Sequence, residues 1–380
     1  MERVKEDSQD KSIHVAVSKR LHSLDALRGL DMLMIIGADR FFHSLSDATQ
    51  SGFWEVIANQ FTHPAWNGFH LYDLIFPLFL FIAGVATPFS ISSRLRKGKS
   101  KSQVLGHVIK RGLILVLLGI IYNNGLQIQP VSDMRFASVL GRIGLAYMFA
   151  NIIFLYTKQK GQIIWLAILL IGYWLMFKFT SAPGFPMGDF TMEGNFASYV
   201  DRLYLPGHLY KGIHDPEGIM STIPAIGTAL FGILTGNFLK NNKFPPSKKA
   251  GWMALAGVVS LILAQVWNLD FPINKNLWTS SFVLQTAGIS WLLLALFYYI
   301  IDVKGHNKWT LFFRVIGMNS ILIYMSGGFI SWGYSNNAFF QWLGQLMGNP
   351  YNAVVLAVTL ILVKWVFLYV LYKKKIFLKV

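Results

Sequence analysis

Apolar stretches of about 18–25 residues recur along this chain, and they narrow its fold more than any other feature. Each is long enough to cross a ~30 Å hydrocarbon core as a helix. Only helices and closed barrels satisfy their backbone there. Spans are read at about Leu24–Leu45, Leu71–Ser92, Val104–Tyr122, Phe136–Tyr156, Ile163–Phe179, Ile219–Leu239, Trp252–Leu269, Leu277–Ile301, Leu311–Trp332 and Ala353–Tyr372. The expectation is an all-α polytopic transmembrane bundle of about ten helices over residues 23–380. A polar cytoplasmic tail, 1–22, precedes it. A Gly-, Pro- and acid-rich loop at about 180–218 is expected to fold as an extracytoplasmic cap, because loops of that length are usually functional or disordered and this one holds aromatics.

Charge gives the orientation. The chain has 34 Lys plus Arg against 18 Asp plus Glu, a net +16. On a soluble protein that balance suggests nucleic acid, yet the basic residues sit in short loops between spans. One set of loops holds Arg94, Arg96, Lys97, Lys99 and Lys101, then Lys158 and Lys160, then Lys240, Lys243, Lys248 and Lys249, then Lys304 and Lys308, then Lys373, Lys374, Lys375 and Lys379. The opposite set offers Arg135, Arg202, Lys211 and Lys275. The positive-inside rule puts the first set, and both termini, in the cytoplasm. No nucleic-acid partner is expected; lipid is.

The residues also limit the chemistry. With no cysteine, disulfides, thiolate metal sites and a Cys nucleophile are excluded. The N-terminal residues do not read as a signal peptide, so the first span remains as the anchor. His63 and His70 lie seven apart in a loop with no H-E-x-x-H pattern, so no metal is expected. Phosphate cradles of the P-loop or GxGxxG kind are absent from the sequence.

Ionisable groups inside spans are costly and mark sites or partners. Asp25, Arg28, Asp31, Asp39 and Arg40 interrupt the first span; Asp73 opens the second; Arg142 lies in the fourth. Arg142 is a site residue or a structural partner of Asp39 or Asp73. Lys110 and Arg111, with His107 one turn earlier, either serve an inner basic mouth or snorkel to headgroups. His63, in the loop joining the spans that carry Asp39 and Asp73, is suited to act as base or nucleophile near neutral pH.

Several segments carry a resemblance: Leu24-Asp25-Ala26-Leu27-Arg28-Gly29, His63-Pro64-Ala65-Trp66-Asn67-Gly68, Asp73-Leu74-Ile75-Phe76-Pro77, Gly141-Arg142-Ile143-Gly144, Asp201-Arg202-Leu203, Asp215-Pro216-Glu217-Gly218, Pro272-Ile273-Asn274-Lys275-Asn276-Leu277-Trp278, Gly317-Met318-Asn319-Ser320 and Tyr372-Lys373-Lys374-Lys375-Ile376-Phe377. In this order they resemble the heparan-α-glucosaminide N-acetyltransferase family. The resemblance implies transfer of acetyl from cytosolic acetyl-CoA to an amino sugar across the membrane, with His63 catalytic. Asp39 falls where animal members carry Asn, and a carboxylate there would assist His63. The chain shows no counterpart of the animal enzyme's lumenal domain and extra span. That implies a bacterial inner-membrane relative acting on glucosamine, N-acetylglucosamine or a short glycan, and a homodimer by family analogy.

A physical route follows from that implication. Lys110, Arg111 and Arg314 are expected near the CoA phosphates, with Asn319 on the pantetheine amides or in an interhelical bond. Arg142 is expected to stabilise the oxyanion or thiolate. Trp66, Asn67, Asp73, Asp215, Glu217, Asn276 and Trp278 are candidates for the sugar pocket. The rival reading is an amino-sugar permease without chemistry.

Overall fold

The structure is a computed structural model that describes residues 21–127 and 129–378. The expected tail up to residue 20 lies outside them. Among the described residues the regular structure is helical, apart from one antiparallel bridge between Arg135 and Gly207. The helices are α1 (His22–Leu33), α2 (Asp39–Thr49), α3 (Gly52–Asn59), α4 (Ile75–Arg96), α5 (Lys101–Asn124), α6 (Val139–Tyr156), α7 (Gln159–Phe179), α8 (Phe196–Tyr204), α9 (Thr222–Lys240), α10 (Pro246–Asn268), α11 (Ser280–Phe297), α12 (Leu311–Met318), α13 (Ser320–Ser326), α14 (Trp332–Met347) and α15 (Asn352–Lys373).

Among the described residues, eight helices are long and apolar enough to cross a membrane, and nine if α12 and α13, bent by 54°, make one span. The expected first span is helical but broken and too charged to join them. A π-helical turn at Met34–Ala38 separates α1 from α2. The Lys364 ammonium of α15 donates to the Ile36 carbonyl at 2.7 Å, satisfying backbone at the break.

The layering separates a lipid-facing shell from a core. In α4, 72% of the most apolar stretch is buried, whereas in α5, α7 and α10 it is 28% and in α15 22%. Those outer helices point Ile164, Trp165, Ile168, Val259, Ile262, Leu263 and Leu362 outward. Continuous apolar surface on that scale is stable only in lipid, so this is a multi-pass membrane protein.

Close helix approach brings the centre together. Gly84 of α4 and Gly232 of α9 face each other, and a Cβ on either would overlap the partner's backbone. Gly29 of α1 and Gly317 of α12 make the same kind of crossing. Small residues let helices without a hydrophobic driving force pack by van der Waals contact.

Between α7 and α9 the chain folds over one end of the bundle. Asn195 caps α8, accepting from the Ser198 amide at 2.8 Å. Phe190 stacks on Phe177, and both meet Phe271 of the α10–α11 loop. That cap and the loops around residues 63 and 275 enclose the site.

Candidate active site

The loop after α3 and the loop after α10 are tied together before any functional side chain is placed. The Gly68 amide donates to the Ile273 carbonyl at 2.8 Å, and Asn274 Nδ2 donates to Asn67 Oδ1 at 3.0 Å. Asn274 is fully buried and also accepts from the Leu277 amide. These bonds hold His63 opposite Lys275.

A 3₁₀ turn, Leu71–Leu74, then swings Asp73 beneath His63. Asp73 Oδ1 lies 2.7 Å from His63 Nδ1, and Oδ2 accepts from the His70 amide at 3.0 Å. A carboxylate only accepts, so the imidazole proton sits on Nδ1 and leaves Nε2 with its lone pair. The Lys275 ammonium lies against the ring, 2.9 Å from Nε2 and 3.1 Å from Nδ1, and 3.5 Å from Asp73 Oδ1. The Asp73 side chain is fully buried while that of His63 is 47% exposed, so the carboxylate is shielded and the ring is open. Burial pulls the Lys275 ammonium below its ordinary range, and Asp73 and Glu217 pull the other way.

Two cavities meet at this point. One, about 210 Å³, lies inside the bundle, lined mainly by apolar residues of α1, α4, α6 and α13 such as Met32, Phe79, Ile143 and Ile321. The other, about 530 Å³, lies under the cap and is the more polar of the two, with Trp66, Arg135, Tyr210, Lys211 and Asn276 on its walls. His63, Lys275, Glu217 and Val139 line both. A slim apolar ligand and a polar one can therefore reach the same imidazole from different directions.

Arg135 organises the polar side. Its guanidinium grips both Asp215 oxygens, at 2.9 and 2.7 Å, and Glu217 Oε2 at 2.5 Å, while stacking over Tyr210. Burial works against both charges of the Arg135–Asp215 pair. Their mutual hydrogen bonds and attraction win, raising the Arg135 pKa and lowering that of Asp215.

The geometry gives several of the expected site residues other partners. Asp39 lines neither cavity; the carboxylate on His63 is Asp73, because the 3₁₀ turn delivers it there. Arg142 pairs with neither Asp39 nor Asp73. It donates to the Pro216 carbonyl and the Ser221 hydroxyl, lies over Trp278, and lines neither cavity, so it braces the turn that carries Glu217. Trp278 is fully buried at φ +53°, its indole donating to Thr228, and so packs the core rather than a sugar. Asn67 is spent on Asn274, and Asp215 on Arg135. Trp66 keeps its place on the polar cavity, its indole donating to the Phe190 carbonyl.

The expected donor-end residues line neither cavity. Lys110 stands exposed in an outward groove beside Leu113 and Leu117, as a snorkelling lysine does. Arg111 stacks on Tyr147, and Arg314 lines neither cavity. Asn319 holds the chain's end, bonding the Ile376 carbonyl and the Leu378 amide. Lys275 and Arg135 line the polar cavity and were not among the expected site residues. The signal for both was that they are two of only four basic residues in the sparse set of loops. Among the described residues no group of three or more His, Asp or Glu is placed to hold a metal ion.

A family model described as the catalytic part of heparan-α-glucosaminide N-acetyltransferase matches residues 20–266. That stretch holds His63, Asp73, Arg135 and Glu217 and stops before Lys275. Heparan-α-glucosaminide N-acetyltransferase from Homo sapiens is 30% identical over 96% of this chain and 60% of its own length. The protein of that name from Mus musculus is 30% identical over 96% of this chain and 61% of its own. The chain thus spans about 60% of the length of the curated relatives it matches.

Proposed function

The chain belongs to the heparan-α-glucosaminide N-acetyltransferase family, and from that premise we propose that it is a transmembrane acetyltransferase. It takes acetyl from acetyl-CoA and passes it to an amino sugar: glucosamine, N-acetylglucosamine or a short glycan. The observation that carries this reading is the meeting of an apolar intrabundle cavity and a polar cap cavity at His63. The pantetheine arm is slim enough for the first, and a sugar has the polarity of the second. The Lys-rich loops face the cytoplasm in this reading, so donor and acceptor approach from opposite sides.

The chemistry runs through His63 Nε2. Held by Asp73, the neutral imidazole removes a proton from the acceptor's amine or hydroxyl as that atom attacks the thioester carbonyl. The carbonyl oxygen takes the negative charge, and the Lys275 ammonium is the nearest cation to offset it. The C–S bond then breaks, the new acyl bond remains, and the imidazolium returns its proton to the departing CoA thiolate. Asp73 stays ionised throughout and stabilises the imidazolium. Glu217, held by Arg135, bonds sugar hydroxyls beside Trp66 and Asn276.

Incubation of purified protein with [acetyl-¹⁴C]acetyl-CoA and glucosamine or N-acetylglucosamine tests the reading. Labelled sugar, absent with His63→Ala, supports it. Sugar bound or carried unchanged, with the thioester intact, sinks it in favour of a permease.

A further inference from the structure

Asp31 is the one buried acid that the mechanism above leaves unused inside the apolar cavity. It sits in α1, 2% exposed, and neither carboxylate oxygen has a hydrogen-bond partner among the described residues. Its side chain lines the same cavity as His63, among Met32, Ile35 and Ile321. A second small apolar cavity, between α1, the Leu71–Ile75 segment and α11, also opens onto it. Taking a carboxylate out of water without a partner is strongly unfavourable. Such a group fits a protein whose ligand brings the missing donor.

The cavity says what that donor is like. At the His63 end Lys275 already pairs with Asp73, and Glu217 with Arg135. The rest of the lining is mainly apolar, broken by Asp31, Ser320 and the phenols of Tyr72 and Tyr324. An occupant must therefore be narrow and largely apolar, with a hydrogen-bond donor set back from its reacting end. The arm of a CoA thioester has this form: a thin chain with secondary-amide N–H groups and a hydroxyl behind the sulfur.

We propose that Asp31 is the register point for the acyl donor, its carboxylate accepting a hydrogen bond from an amide N–H or the hydroxyl of the pantetheine arm. The assignment rests on the acetyltransferase reading. It explains why an acid is kept in an apolar wall: the bond forms only when the arm is threaded, and it fixes how far the thioester advances toward His63. As a positioning residue Asp31 touches the arm and not the reacting carbon.

Equilibrium binding to the detergent-purified full chain tests this without relying on turnover. The probes are CoA and adenosine 3′,5′-bisphosphate, which has no arm. Asp31→Leu is expected to weaken CoA by about 10- to 100-fold, the range for losing a hydrogen bond to a charged group, and to leave the bisphosphate unchanged. Asp31→Asn, which keeps a carbonyl acceptor, is expected to lose less. The thermal midpoint of ligand-free Asp31→Leu is expected to hold or rise, because a buried polar group without a hydrogen-bond partner has been replaced by an apolar side chain. Unchanged CoA binding overturns the proposal. So does equal weakening of both probes, a fall in the midpoint with loss of both, or a wild type that does not bind CoA. CoA binding that depends on Asp31 in a protein that transfers no acetyl leaves this inference standing and removes the acetyltransferase reading alone.

Discussion

His63 Nδ1 and Asp73 Oδ1 lie 2.7 Å apart, and that contact decides which nitrogen of the imidazole meets a ligand. With Nδ1 committed to a buried carboxylate, Nε2 is the nitrogen left for a ligand. Asp73 is itself fixed by the His70 amide, so the orientation does not depend on the ligand.

Asp73→Asn tests that relationship. An amide can hand an N–H to Nδ1 and shift the imidazole proton to Nε2, where it is useless as a base. The rate at saturating substrates is expected to fall by roughly 10²–10⁴-fold, the usual scale for general-base catalysis, with CoA binding nearly intact. Steady-state kinetics beside equilibrium binding gives both numbers. A fall confined to KM contradicts the assigned role.

Lys275 supplies the cation next to Nε2. Lys275→Met is expected to lower kcat by roughly 10²–10³-fold, as removal of one oxyanion donor does. Lys275→Arg should recover part of that loss, since charge is kept and geometry is not. Equal kcat values for the Met variant and wild type would remove Lys275 from the reaction.

The chain announces its spans because backbone in lipid must satisfy itself, and long apolar runs leave few other solutions. Leu24–Leu45 reads as one span, yet it breaks at Met34–Ala38, where Lys364 donates to the Ile36 carbonyl. Those two residues are 328 positions apart, so local hydropathy carries no trace of the contact. His63 is legible from its motif, but its partner is not: the resemblance points to Asp39, and the 3₁₀ turn at Leu71–Leu74 brings Asp73 instead. Lys275 stands 212 positions from His63. Its motif names it only as one residue of a loop. Asn319 and Trp278 show the converse, since a motif marks residues needed for packing as readily as those that meet substrate.

The cap is expected to depend on Arg135. Arg135→Ala leaves the fully buried Asp215 and the nearly buried Glu217 without their counter-ion. Breaking a buried pair from one side costs about 3–5 kcal/mol. A lower thermal midpoint, with faster proteolysis across residues 180–218, is the expected outcome; wild-type resistance would mean that the ion pair does not secure the cap.

Two cap residues give opposite pH dependences. Burial lifts Asp201 to about 7 from an ordinary 3.8, with the Ile219 amide and Arg142 pulling the other way. Between about 4 and 7 the unfolded chain has released this proton and the fold has kept it, so Asp201's contribution falls as pH rises. Burial lowers His214 to about 3 from an ordinary 6.5, against the pull of Asp215. Between about 3 and 6.5 the unfolded chain binds the proton and the fold does not, so His214's contribution grows as pH rises. Each amounts to at most about 1.4 kcal/mol per pH unit. Relative to wild type, Asp201→Asn should gain stability as pH rises from 4 to 7, and His214→Gln should lose it as pH rises from 3 to 6.5. Thermal midpoints across pH 4–7 read both; parallel curves for all three proteins would contradict the assignment.

The most direct test of the central claim is acetyl transfer itself. Purified wild type and His63→Ala are each given [acetyl-¹⁴C]acetyl-CoA with glucosamine or N-acetylglucosamine, and the sugar is separated and counted. The two-cavity geometry predicts labelled sugar from wild type and at least a 10²-fold loss in the variant. Equal transfer by the variant, or no transfer by wild type to any amino sugar, contradicts it.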